Sequence, residues 1–176
     1  MKKPQHLPLD GVLNEPVPFD VELSFALSEL DREPLLEITP VRMEGEVSRI
    51  EQGFALAAGL RYAGRLECSR CLAAYPFETD ERFSIVLYKR PAATDTELTL
   101  ERNDLDVSFY DDPELPLAPI AEERIQMAIP MKPLCQENCR GLCAGCGADL
   151  NTEPCRCAAP AGDSRWEALR QIPRND

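Results

Sequence analysis

The chain has 176 residues, 44% hydrophobic but only 6% aromatic, with 16 prolines, 9 glycines and a net charge of -12. That length allows one domain with a real core and a small appendage, and the composition excludes a wholly disordered chain. The charge argues against a body built to bind a phosphate backbone, and no apolar run approaches the roughly 20 residues a membrane span needs.

The start, "MKKPQHLPLDG", lacks an apolar stretch after its lysines, so the sequence reads as a soluble, cytoplasmic protein of bacterial type. The charge is unevenly placed. Residues 1–129 carry 13 Lys+Arg against 25 Asp+Glu, whereas residues 130–176 carry 6 of each.

Residues 1–18, "MKKPQHLPLDGVLNEPVP", hold four prolines and no sustained period, which predicts an extended N-terminal arm or edge segment. His6, the only histidine, lies there and reads as a solvated residue. From Phe19 the pattern alternates. "FDVELSFAL" sets Phe19, Val21, Leu23 and Phe25 against Asp20, Glu22 and Ser24, and "VRMEGEV" does the same with Val41, Met43 and Val47.

The longest alternation is "FALAAGLRYAGRLEC", with Phe54, Leu56, Ala58, Leu60, Tyr62, Leu66 and Cys68 on one face. After "CSRC" a second run answers it, Tyr75, Phe77, Phe83, Ile85 and Leu87 alternating with polar residues. Two such runs joined by a short polar segment predict an antiparallel hairpin with Cys68 and Cys71 at its tip.

"PAATDTELTLERND" reads as a polar connection, and "LDVSFY" as a short strand with Leu105, Val107 and Phe109 inward. In the next stretch Leu117, Ile120, Ala121, Ile125, Ala128 and Ile129 recur at helical spacing before Pro130, predicting a helix over 116–129 that covers one face of the sheet. The fold class is therefore α+β, mainly antiparallel β. A β-rich domain spans 19–130 with its covering helix at the C-terminal end, and a cysteine-rich tail follows at 131–176. Within that tail "DSRWEALRQIP" predicts a short terminal helix with Ser164 and Glu167 spaced as a capping box.

Six of the eight cysteines fall between Cys135 and Cys157. Cys143 and Cys146 form a C-x-x-C turn with glycines at 145 and 147, a spacing that lets two thiolates reach one tetrahedral ion. Cys135 and Cys139 upstream, or Cys155 and Cys157 downstream, would complete a four-thiolate site. A two-metal cluster with shared sulfurs and a reduced, flexible tail are the alternatives. Four soft thiolates without histidine favour structural Zn²⁺. Leu134, Leu142 and Leu150 are too few to order the tail through a core, whereas a structural zinc site contributes on the order of 10 kcal/mol of folding free energy.

Cys68 and Cys71 at the hairpin tip are candidates to support such a site. A lone C-x-x-C can also be a redox dithiol, but that motif usually opens a helix, where the dipole lowers the thiol pKa, and here it joins two strands. No Walker loop, G-x-S-x-G or G-x-G-x-x-G is present, so the reading is not an enzyme.

The hairpin "LECSRCL", the junction "IPMKPLC", "CRGLCAGCGADLN", "PCRC" and "DSRWEAL", taken in order, resemble the YceD family of large ribosomal RNA subunit accumulation proteins, over about residues 19–172. The resemblance implies a non-enzymatic ribosome-biogenesis factor that supports accumulation of 23S rRNA. Its implied partners are large-subunit rRNA, ribosomal proteins or assembly factors, with no membrane and no small-molecule substrate. Some members share the hairpin pair but lack the cysteine-rich tail, which points to the β-domain for the shared function. A zinc-ribbon adaptor unconnected with ribosomes is the alternative, and a thiol oxidoreductase using Cys68 and Cys71 is a third. Arg70 inside "CSRC", Arg140 beside Cys139, Arg156 inside the C-x-C pair and Lys132 are candidate contacts to RNA or a partner near the metal, or solvated surface charge.

Overall fold

The computed structural model describes residues 6–30, 33–90 and 107–157. The connection over 91–104, Leu105 and the terminal helix read from "DSRWEALRQIP" lie outside these.

The alternating runs form a six-stranded sheet from β2 (Val17–Leu23), β3 (Leu35–Ile38), β4 (Val41–Ile50), β5 (Gly53–Glu67), β6 (Ala74–Lys89) and β7 (Val107–Tyr110). Its order is β2-β4-β5-β6-β7, with β3 pairing β5 beyond the end of β4. Every pairing is antiparallel except β6 with β7, which is parallel. The β5–β6 hairpin dominates. Its register runs from Gly53 opposite Tyr88 to Glu67 opposite Ala74, so at about 3.3 Å per residue it is roughly 50 Å long.

Period-two patterning decides which face is covered. Phe54, Leu56, Leu60, Tyr62 and Leu66 of β5 are buried with Val21, Leu23, Val41, Met43, Val47, Ile85 and Leu87. The covering layer is α2 (Leu117–Ala128), which turns Leu117, Ala121 and Ile125 inward at helical spacing. A one-turn helix, α1 (Leu27–Leu30), adds the buried Leu30. On the open face Asp20, Arg42, Glu44, Arg61 and Asp80 form a cross-strand ladder of ion pairs at 3.1–3.3 Å. Such exposed pairs contribute at most about 1 kcal/mol each, so burial holds this sheet together.

The N-terminal segment is packed from residue 6 onward. β1 (His6–Pro8) pairs antiparallel with β8 (Glu114–Pro116), and a 3₁₀ turn follows at Leu9–Gly11. Leu7, Leu9 and Val12 join the core, while His6 is exposed.

One inward assignment is corrected. Phe109 is 47% exposed, and its register partner is Tyr88, whereas Ser108 aligns with the buried Leu87. In so short a strand the alternation read from the sequence was one residue out of step. Tyr110 rather than Phe109 packs against the core, edge-on to Phe54 with 5.7 Å between ring centroids.

Candidate metal centre

The hairpin tip closes through a tight backbone turn. The amide of Cys68 donates to the Ala73 carbonyl at 3.0 Å and that of Leu72 to the Cys68 carbonyl at 2.9 Å. Leu72 takes a φ of 60°, a left-handed conformation that a non-glycine residue adopts at a cost of about 1–2 kcal/mol. Folded this way, the tip turns both Cys68 and Cys71 into the protein, where they are buried.

The tail then returns to this tip. Past the end of α2, the Pro133 carbonyl accepts from the Ser69 amide at 2.8 Å. The Arg70 carbonyl accepts from the Leu142 amide at 3.0 Å, and the Arg70 guanidinium donates to the Cys139 carbonyl at 2.8 Å. Gly141 makes the close approach possible, since it has a φ of +72° and a Cβ there would lie 2.9 Å from the Arg70 carbonyl oxygen.

These contacts gather Cys68, Cys71, Cys135 and Cys139 into one set. The Sγ atoms of Cys68 and Cys139 are 3.8 Å apart and those of Cys71 and Cys135 are 3.6 Å apart. The second set is Cys143, Cys146, Cys155 and Cys157, built entirely within the tail. Here Cys143 lies 3.4 Å from Cys155 and 3.7 Å from Cys157, sulfur to sulfur. The turn that carries it is held by the Cys143 amide donating to the Ala148 carbonyl and the Gly147 amide to the Cys143 carbonyl. In each set all four sulfurs lie within 4.8 Å of one another.

Tetrahedral coordination with metal–sulfur bonds of about 2.3 Å requires sulfurs about 3.8 Å apart, so both sets have the dimensions of a four-thiolate metal site. Each could hold a metal ion. They differ in exposure. Cys68, Cys71 and Cys139 are buried, whereas Cys146, Cys155 and Cys157 are exposed. The six tail cysteines thus do not converge on one point. Cys155 and Cys157 join the C-x-x-C turn, and Cys135 and Cys139 join the hairpin pair.

The thiols are electrostatically divided within each set. Burial, the largest influence on Cys68, pushes its thiol up, but the amides of Cys135, Cys71 and Arg70 together outweigh it and bring the value down to about 6. Cys143 is likewise lowered to about 6, chiefly by the amides of Cys146 and Gly145. By contrast Cys135 is raised to about 12, first by burial and then by hydrogen bonds to its neighbouring cysteines. Cys157 reaches about 12 mainly through hydrogen bonding to Cys143. Backbone donors thus lower Cys68 in one set and Cys143 and Cys146 in the other, while Cys71 and Cys135, and Cys155 and Cys157, are raised. Cys68, Cys71, Cys135 and Cys139, and likewise Cys143, Cys146, Cys155 and Cys157, would ionise together around a divalent cation, whose positive charge would offset their mutual repulsion.

The basic residues read from the sequence have separate fates. Arg70 is committed to the Cys139 carbonyl, and Arg156 pairs with Glu153. Lys132 and Arg140 are exposed at this end. Asn151 was missed in the sequence. Its carboxamide oxygen accepts from the Arg140 amide at 2.8 Å and from Gln136 at 3.3 Å, while its Nδ2 donates to Asp149 at 2.7 Å and to Cys139 Sγ at 3.4 Å. The short "ADLN" after the C-x-x-C turn was its only trace.

The sequence model of the family described as "Large ribosomal RNA subunit accumulation protein YceD" matches residues 57–172, well over half of the chain. The chain belongs to the YceD family. The matched range begins inside β5 and takes in the hairpin tip and all eight cysteines. A maize (Zea mays) protein named large ribosomal RNA subunit accumulation protein YCED homolog 1, chloroplastic, is 27% identical over 160 residues, covering 77% of this chain and 55% of its own length. An uncharacterised protein of Mycobacterium leprae is 26% identical over 115 residues, covering 65% of this chain and 51% of its own. The chain therefore spans about half the length of the curated relatives it matches. No solved structure matches it significantly. The family is named for accumulation of large-subunit rRNA and not for an enzymatic activity. Among the described residues no helix is long and apolar enough to cross a membrane.

Proposed function

We propose that this YceD-family chain is a non-enzymatic ribosome-biogenesis factor that supports accumulation of 23S rRNA, with two structural zinc ions, one tying its cysteine-rich tail to the β-hairpin and one ordering the tail itself. The observation that carries the reading is the extent of the family match, which includes the hairpin tip and both four-cysteine sets. Zinc is favoured because each set offers four soft thiolates and no nitrogen or oxygen ligand, at tetrahedral spacing. In the set formed by Cys68, Cys71, Cys135 and Cys139 the ion acts as a cross-link between sheet and tail. In the set formed by Cys143, Cys146, Cys155 and Cys157 it replaces the apolar core that the tail lacks.

The metal-bound end is also where rRNA would be met. Arg70, Lys132, Arg140 and Arg156 are all exposed there, with Arg70 also donating to the Cys139 carbonyl and Arg156 paired with Glu153. Depleting the protein from its host and measuring the ratio of 23S to 16S rRNA tests the role. A selective fall in 23S rRNA, restored by the intact chain, is expected; an unchanged ratio removes the reading.

A further inference from the structure

The end of the hairpin remote from the cysteines carries a different feature. Between β7 and α2 lies a cleft of about 330 Å³, floored by Leu87, Leu115 and Ile120 and flanked by Phe109. It exists because Ser108 occupies the core-side position of β7, where a large apolar side chain would have filled the space against α2. Its rim is acidic. Asp112, Glu114 and Glu123 are exposed there, and none has an ion-pair partner among the described residues. Beside the cleft β7 is the last strand of the sheet. It pairs with β6 on one side and with no described strand on the other.

We infer that this cleft and the adjoining edge of β7 form the docking site for an extended, Lys/Arg-rich segment of another protein, whose alternate apolar side chains enter the cleft. The strand edge offers unpaired backbone groups to an extended chain, the apolar floor takes every second side chain, and the carboxylates meet the basic side chains between. The protein's own Arg90 shows the chemistry this rim accepts. Its guanidinium pairs with Asp111 at 2.8 Å and lies over the Phe109 ring, 5.8 Å from the centroid.

Charge sets aside RNA, anionic lipid surfaces and the chain's own 91–104 segment. RNA and anionic lipid surfaces are repelled by three unpaired carboxylates. Residues 91–104 of the chain itself carry four acidic residues and one basic, the same sign as the rim.

This inference deepens the proposed role by locating a basic assembly partner, but its test makes no use of rRNA. The probe is a fluorescein-labelled ten-residue peptide alternating Arg or Lys with Val, titrated by anisotropy into the purified full chain. Binding that weakens with salt is expected. Asp112→Asn, Glu114→Gln and Glu123→Gln together should weaken it about tenfold or more. The control Glu22→Gln, Glu46→Gln and Glu78→Gln, an equal charge change on exposed strand positions, should weaken it less than about threefold. Methylating alternate peptide amides should abolish it by removing the donors to the strand edge. No binding at low salt, equal losses in the two triple variants, or undiminished binding of the methylated peptide would each overturn the inference. The substituted carboxylates are solvent-exposed, so folding is preserved, and far-UV circular dichroism checks that. A failure here leaves the rRNA ratio untouched, and an unchanged ratio leaves peptide binding untouched.

Discussion

The Asn151 carboxamide donates to the Sγ of Cys139 at 3.4 Å while the same Nδ2 is held by Asp149 at 2.7 Å. Asp149 pairs across the backbone with Leu142, next to the first cysteine of the tail set. One side chain from the turn of the exposed set therefore touches a sulfur of the buried set, linking the two. Donors to metal-bound groups stabilise the thiolate and fix its orientation, and their loss typically costs about 10–100-fold in metal affinity.

Asn151→Ala is accordingly expected to speed metal loss from the buried set by about 10–100-fold while the chain still binds two ions. Asn151→Asp should be worse, because it replaces a donor to sulfur with a carboxylate. Transfer of metal to a chromophoric chelator, followed in time, resolves the two sets. If Asn151→Ala leaves both phases unchanged, the contact has no influence on the metal.

Stoichiometry distinguishes the two-set arrangement from a single tail site. Cys68→Ser should reduce bound zinc from two ions per chain to one, and so should Cys146→Ser, because each removes a ligand from a different set. The two changes together should remove both. Elemental analysis of the purified variants provides the reading. Two ions persisting in Cys68→Ser would mean that the hairpin cysteines do not bind metal.

Much of this was legible in the sequence, and the gaps have physical causes. Alternation located β5 and β6 and put Cys68 and Cys71 at the tip, because a hairpin of this length repeats its pattern many times. β7 is only four residues long, and its inward side was misassigned at Phe109 by one step. The partition of the cysteines was open for a different reason. Spacing joins sulfurs within a turn, but Cys68 and Cys139 are 71 residues apart and meet only through tertiary contacts of Ser69, Arg70 and Gly141. Asn151 acts through a side-chain hydrogen bond that leaves no periodic signal.

Gly145 provides a steric test of the exposed set. A Cβ at this position would lie 2.6 Å from Cys157 Sγ, closer than the two atoms can stand. Gly145→Ala must therefore displace a sulfur that the metal needs, and the variant is expected to lose the tail ion while keeping the buried one. Gly147→Ala is the comparison. It has a φ of +72° and open space around it, so it strains the backbone by about 1 kcal/mol without touching a ligand. Retention of two tightly held ions in Gly145→Ala would show that Cys157 is not bound.

Acidity should act on the two sets through their first thiolates. In the metal-free chain Cys68 and Cys143 ionise at about 6 rather than the ordinary 9.0. Their ionised form thus contributes stability that is complete above about 9 and is lost as the pH falls through about 6. Cys135 and Cys157, held up to about 12, act in the opposite sense, with a contribution complete below about 9 and lost as the pH rises toward 12. Thiolate absorbance of the metal-free protein should therefore rise in a first step near pH 6 and finish only in strong alkali. At pH 7, alkylation should reach Cys143 well before Cys157, although Cys157 is the more exposed. With metal bound, protons must displace the ion to titrate these sulfurs, so the first step should vanish and metal release should begin only below pH 6. A single titration of all eight thiols near 9 in the metal-free chain would show that the backbone donors do not lower Cys68, Cys143 and Cys146.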